Sequence, residues 1–138
     1  MEFPTELESV NGAQDLFDWF GYWPSFHDAE VVCLNLNRGA ACSLVLKTWE
    51  MTKEIDVRGY YVQAKHVIVE FVMKEVVDLN LNGFNHQNVI FGLAVEKVEN
   101  CYRLTLDGCY GMAGTIDATD VSILLRPVEP AQSPSFGA

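Results

Sequence analysis

From residue 30 onward the chain alternates apolar and polar side chains with a period of two. No stretch after residue 60 is long enough to serve as a helical crossover. Parallel neighbours need long connections, usually helices, whereas antiparallel neighbours can be joined by tight turns. The pattern therefore predicts a mostly antiparallel sheet. Glu30–Asn37 and Cys42–Met51 read as two strands around the turn Asn37-Arg38-Gly39. In the first, Glu30, Val32, Leu34 and Leu36 take one side and Val31, Cys33, Asn35 and Asn37 the other. Residues 52–60 read as a polar connection. A strand over His66–Lys74 has Val67, Val69, Phe71 and Met73 on its apolar face, and a short strand with Val77, Leu79 and Leu81 ends at Asn82-Gly83. After a loop at 84–88, Val89–Val98 and Cys101–Leu106 form a hairpin around Glu99-Asn100. Asp107-Gly108 reads as another turn. The Gly-rich Tyr110–Ile116 suits a bulged or edge strand, and Val121–Arg126 a last one.

The N-terminal part follows a different period. Leu16, Trp19 and Phe20 fall at i, i+3 and i+4, which predicts a short helix over 13–20 that Gly21 can terminate. Pro24 then restricts Trp23 to extended geometry. The predicted class is α+β: six to eight mostly antiparallel strands with a short N-terminal helix on or beside the sheet. At 138 residues one domain is expected over 1–126, since domains run at roughly 100–150 residues. The Pro- and Ser-rich segment 127–138 reads as a disordered tail.

Charge narrows the partners. The net charge is −10, with 9 basic residues against 19 acidic ones. Nucleic-acid binding needs a basic footprint, and anionic membrane surfaces attract basic segments, so neither partner is expected. The first 37 residues hold Glu2, Glu6, Glu8, Asp15, Asp18, Asp28 and Glu30 and no Lys or Arg. Such a pole can be a solvated surface that aids solubility, or it can steer a basic protein. No window of 18 apolar residues, no basic-then-apolar leader and no lipidation box is present, so a cytoplasmic protein is expected.

Sites of chemistry are sparse. His27 and Asp28 are adjacent and could do acid–base work. In an extended segment, however, neighbours point to opposite faces, while Asp28 and Glu30 share one. His27, His66 and His86 lack metal-ligand spacing, so neither a metal nor another cofactor is expected. The cysteines Cys33, Cys42, Cys101 and Cys109 form no C-x-x-C pair and suit small buried hydrophobes. A Cys33–Cys42 bridge across the first turn is geometrically conceivable. Phe17, Trp19, Phe20, Tyr22, Trp23 and Phe26 crowd ten residues. They can staple the helix to the sheet, or Tyr22 and Trp23 can form an aromatic anchor ringed by Asp15, Asp18, Asp28 and Glu30.

The stretch Gly21-Tyr22-Trp23-Pro24-Ser25-Phe26-His27-Asp28-Ala29-Glu30-Val31 resembles the motif that opens the bacterial immunity protein 50 family. Leu79–Ile90, the hairpin after it and Tyr110-Gly111 resemble that family's layout, for a likeness over about residues 16–126. The resemblance implies a non-catalytic antitoxin that binds and neutralises a cognate polymorphic toxin inside the producing cell. It carries over Trp23, Pro24, Phe26, His27 and Asp28 as motif positions without assigned roles. Asp15, Asp18, Tyr22, Trp23, Asp28 and Glu30 are the candidate partner-binding residues, with a basic toxin as the partner. Two alternatives stand beside this: a small hydrolase using His27 with Asp28 or Glu30, and a small-ligand-binding or dimeric β-sheet module. The chain is expected as a monomer or homodimer.

Overall fold

A computed structural model describes residues 3–128, without the side chains of Met51 and Tyr61. A 3-10 turn (Thr5–Leu7) and helix α1 (Ala13–Phe20) precede six strands: β1 (Glu30–Asn35), β2 (Cys42–Ile55), β3 (Tyr61–Asn82), β4 (Val89–Val98), β5 (Cys101–Tyr110) and β6 (Ala113–Pro127). All pairings are antiparallel, and the sheet closes on itself in the order β1-β2-β3-β6-β5-β4. Two three-stranded meanders thus face each other, linked by the 83–88 loop. Closure removes free edges wherever both neighbours reach.

The alternation of the strands fills the barrel. Leu44, Leu46, Val67, Val69, Phe71, Met73, Ile90, Leu104 and Ile116 are fully buried. Helix α1 adds Ala13, Leu16 and Phe20 to the same core. Its entry is set by Gly12 at φ +90°, where a Cβ would stand 1.8 Å from the Ile123 carbonyl oxygen. Gly21 at φ +85° caps its C-terminus by donating its N–H to the Phe17 carbonyl.

Several sequence expectations are corrected. Of the connection expected at 52–60, only 56–60 is a turn. β2 continues to Ile55 and β3 begins at Tyr61, because charged side chains are tolerated where both faces of a two-stranded ribbon meet water. The strands expected at 66–74 and 77–82 are one 22-residue strand. Glu75 takes φ +57° and the register shifts between Val76 and Asp78, so Val76 packs on the core opposite Ala118, Val77 is thrown outward, and Leu79 returns to the inner face opposite buried Ile116. A shift between Val31 and Cys33 does the same in β1, burying Val31 and exposing Val32. Asp107-Gly108 lies inside β5 rather than in a turn. Gly108 is there because a Cβ would approach that of Ala113 to 2.9 Å.

The Gly-rich segment from Ala113 and Val121–Arg126 form one strand, β6, paired with β3 throughout and with β5 over Gly114–Ala118, so its Gly-rich part is no edge. Pro127, expected to open the tail, ends β6 opposite Val67, and Val128 donates its N–H to the His66 carbonyl. The rest of that tail lies outside the described residues. The cysteines are free, with Cys33 opposite Val45 and Cys42 opposite Met73, so they do not face each other.

Candidate functional site

The segment between α1 and β1 has little regular structure, yet it is firmly placed. Phe26 and Asp28 take positive φ, 63° and 66°, and turn the chain sharply. Phe26 sinks into the core with its ring edge-on to Phe71, centroids 5.8 Å apart. The Ser25 carbonyl accepts the Leu93 N–H at 3.0 Å, and the Asp28 N–H donates to the Ile90 carbonyl at 2.9 Å. Ile90 returns its N–H to Ala29 at 3.0 Å, and Val31 donates to Asn88 at 2.9 Å. These bonds close the barrel between β1 and β4, whose register is a single pair, Glu30 with Val89.

Because Phe26 and Asp28 are left-handed, the segment is not extended, and His27 and Asp28 do not point apart as expected. His27 Nε2 lies 3.6 Å from Asp28 Oδ2, while Nδ1 lies 3.1 Å from the Phe91 carbonyl and the ring stacks on Phe91. Both side chains are exposed and stand on the rim of a cleft of about 420 Å³. Phe20, Tyr22, Thr48, Trp49 and Glu50 also line it. Tyr22 donates its hydroxyl to Glu50 Oε2 at 3.0 Å, and Lys65 Nζ sits 3.5 Å from Glu50 Oε1. Burial, then the Glu50 hydrogen bond and its charge, pushes the Tyr22 phenol up to about 12. Lys65 Nζ also donates to the Phe20 carbonyl, and Trp19 Nε1 to the Lys65 carbonyl, so the helix end is clasped to β3.

The six predicted partner-binding residues are not gathered at one place. Tyr22 and Asp28 share the cleft. Asp15 and Asp18 lie on the solvent face of α1, where Asp18 accepts a hydrogen bond from Gln14. Trp23 packs edge-on against Phe3, 6.2 Å away, and borders a separate apolar groove with Pro4, Leu93 and Val95. Glu30 is exposed on β1, opposite Lys47 in register. Among the described residues, no Lys or Arg lies within 4.0 Å of the carboxylates of Asp15, Asp18, Asp28 or Glu30. The acidic pole is therefore displayed and not internally neutralised, but its members are spread over the helix and the β1 entry.

Glu50 and Thr48 complete the cleft and Lys65 braces it; none of the three was singled out from the sequence. They sit in ordinary-looking strand residues, and no local pattern distinguishes them. Among the described residues no group of three or more His, Cys, Asp or Glu could hold a metal ion. No helix among them is long and apolar enough to cross a membrane.

The two segments that meet at the seam, residues 21–31 and 79–90, are those that resemble the immunity family. The model of the family described as immunity protein 50 matches residues 12–125, from the start of α1 nearly to the end of β6. The chain belongs to the immunity protein 50 family. Membership implies a cognate toxin as partner. Comparisons with curated proteins and with solved structures found no match. Within this family member, the Trp-Pro-Ser-Phe-His-Asp motif does structural work, because it buries Phe26 and supplies the backbone bonds that lace β1 to β4.

Proposed function

We propose that this immunity protein binds and neutralises a cognate basic toxin in the cytoplasm by occlusion, without catalysis of its own. The observation that carries the reading is the exposed pair Asp15 and Asp18 on α1, with Glu30 and Asp28 beyond, all without a Lys or Arg within 4.0 Å among the described residues. Unpaired exposed carboxylates extend the reach of a negative potential, and opposite charge accelerates encounter. Tyr22 and Trp23, both half-buried, supply the aromatic contact area beside it. The test is kinetic. Asp15→Lys with Asp18→Lys should leave the fold intact by circular dichroism, slow association with the cognate toxin at least tenfold at low salt, and flatten its salt dependence. Unchanged association would remove the acidic face from the docking surface.

A second reading, a small hydrolase, draws on the cleft beside His27. It ranks second because Nδ1 is engaged by the Phe91 carbonyl and the imidazole stands on the rim, with its side chain 63% exposed. Turnover of ester or phosphodiester substrates that His27→Ala abolishes would reverse the ranking.

A further inference from the structure

The hairpin between β2 and β3 outruns the barrel. β1 pairs β2 only as far as Lys47, and β6 pairs β3 only from Val67. β2 and β3 nevertheless stay paired through Glu50–Ala64, Met51–Gln63 and Ile55–Tyr61. Residues 50–64 thus form a two-stranded arm with neither outer edge covered by a neighbouring strand. Its base is fixed by the Glu50–Lys65 contact and by Trp19 on the Lys65 carbonyl.

The tip is braced by its own hydrogen bonds. Asp56 Oδ1 accepts the N–H groups of Arg58 at 2.9 Å and Tyr60 at 3.0 Å. The Asp56 N–H donates to the Tyr60 carbonyl, and the Gly59 N–H to the Asp56 carbonyl. Arg58 lies over the Tyr60 ring, 5.7 Å from its centroid. What this frame presents to water is Val57, wholly exposed, with Ile55 and Tyr60 each more than 60% exposed. Apolar side chains this exposed contribute little to folding where they stand. Order without burial is what lowers the entropic cost of docking, and Tyr and Arg are the residue types that concentrate binding energy.

Charge and edge geometry choose the occupant. Lys53 and Arg58 balance Glu54 and Asp56, so the arm is neutral from residue 51 to 64 on a chain of −10. At the turn itself the Arg58 guanidinium is 76% exposed against 32% for the Asp56 side chain, which is turned onto the loop's own N–H groups. A second copy pairing along the arm is disfavoured on both sides. The β2 edge is bulged, with Thr52 Oγ1 taking the Glu54 N–H and donating to the Val62 carbonyl, and Lys65 kinks β3 at φ +56°. A narrow projection whose turn carries exposed Val57 and Tyr60 beside the Arg58 guanidinium fits a concave surface better than a flat one.

We propose that the β2–β3 arm inserts into the cognate toxin, its tip Ile55–Tyr60 seating in an apolar cleft with a carboxylate opposite Arg58. This rests on the toxin-binding reading above and adds to it the element that fills the partner. The probe is the lethal domain of the cognate toxin, purified as an inactive variant and titrated against the full chain. Val57→Asp and Arg58→Glu should each raise Kd at least thirtyfold through faster dissociation, with the thermal midpoint unchanged, and Arg58→Lys should recover part of the loss. Hydrogen exchange of the Val57–Tyr60 amides should slow in the complex. Wild-type affinity within threefold in both variants, or unprotected tip amides, overturns the arm while leaving toxin binding standing. No binding by the wild-type chain overturns both.

Discussion

Val31 donates its backbone N–H to the Asn88 carbonyl at 2.9 Å, across a seam where β1 and β4 share a single register pair. Asn88 also sits at φ +47°, is 4% exposed, and accepts the Asn85 N–H on its side-chain oxygen. Asn85 answers by accepting the N–H groups of Gln87 and Asn88. The loop that links the two meanders is therefore held by reciprocal Asn contacts, and it positions one side of the closure.

Asn88→Ala removes a buried acceptor, leaves the Asn85 N–H unpaired and places Ala in a left-handed conformation. The expected cost is about 1–3 kcal/mol. Urea unfolding should show a lower midpoint at unchanged slope, and hydrogen exchange should show faster opening at Val31 and Ile90 than in the β3–β6 ladder.

Gly12→Ala tests how α1 is seated. Its Cβ would stand 1.8 Å from the Ile123 carbonyl oxygen, and the Ile123 N–H is held by Asn11 at 2.7 Å. The clash is with backbone, and φ is +90°, so the helix entry must shift. A loss of at least about 2 kcal/mol is expected, whereas Gly21→Ala, with open space around its Cβ, should cost less. Thermal unfolding of the two variants side by side measures the difference.

His66 gives the fold an acid-sensitive term. Burial first, and the charge of Lys47 second, hold its imidazole below the ordinary value of 6.5. The folded state binds its proton less readily than the unfolded one. Stability is therefore complete above about pH 6.5 and falls as pH drops from there to the folded pKa, below which this contribution levels off. The thermal midpoint should decline over that window, and His66→Gln should flatten that part of the profile.

Tyr22 acts at the other end of the scale. Its phenol is raised to about 12 by burial, then by the Glu50 hydrogen bond and charge. The stabilisation is fully present below about pH 10 and is lost as pH rises through the folded value. Spectrophotometric titration should show one tyrosine ionising late, and Tyr22→Phe should abolish that late step. The same change should cost about 0.5–1.5 kcal/mol at neutral pH, the ordinary worth of one hydrogen bond.

Much of the architecture is legible in the chain. The period-two faces Val67-Val69-Phe71-Met73 and Leu44-Leu46 point to the core as their alternation predicts, and Leu16 and Phe20 bury as the helical stripe predicts. The departures cluster where backbone conformation breaks the period. Glu75 and the Val31–Cys33 shift invert faces without changing composition, and no residue type announces them. Gly108 and Gly114 read as turn or edge signals, yet they are strand glycines required by close approach. A Cβ on Gly114 would meet the Asn80 carbonyl oxygen at 1.9 Å. The candidate site is only half legible. Tyr22 and Asp28 share a cleft, but Glu50, Thr48 and Lys65 come from strands well removed along the chain.

Sequence alone determined the antiparallel class, the short helix, the acidic first third and the family, because periodicity, charge and a contiguous motif are properties of neighbouring residues. Tertiary structure decided that the sheet closes, that His27 and Asp28 approach each other, that the acidic residues are spread, and that an arm projects at Ile55–Tyr60. Each of these depends on register between distant strands and on left-handed residues such as Phe26 and Asp28. Register and local φ are fixed by what the whole core can accommodate, and neighbouring residues alone do not encode them.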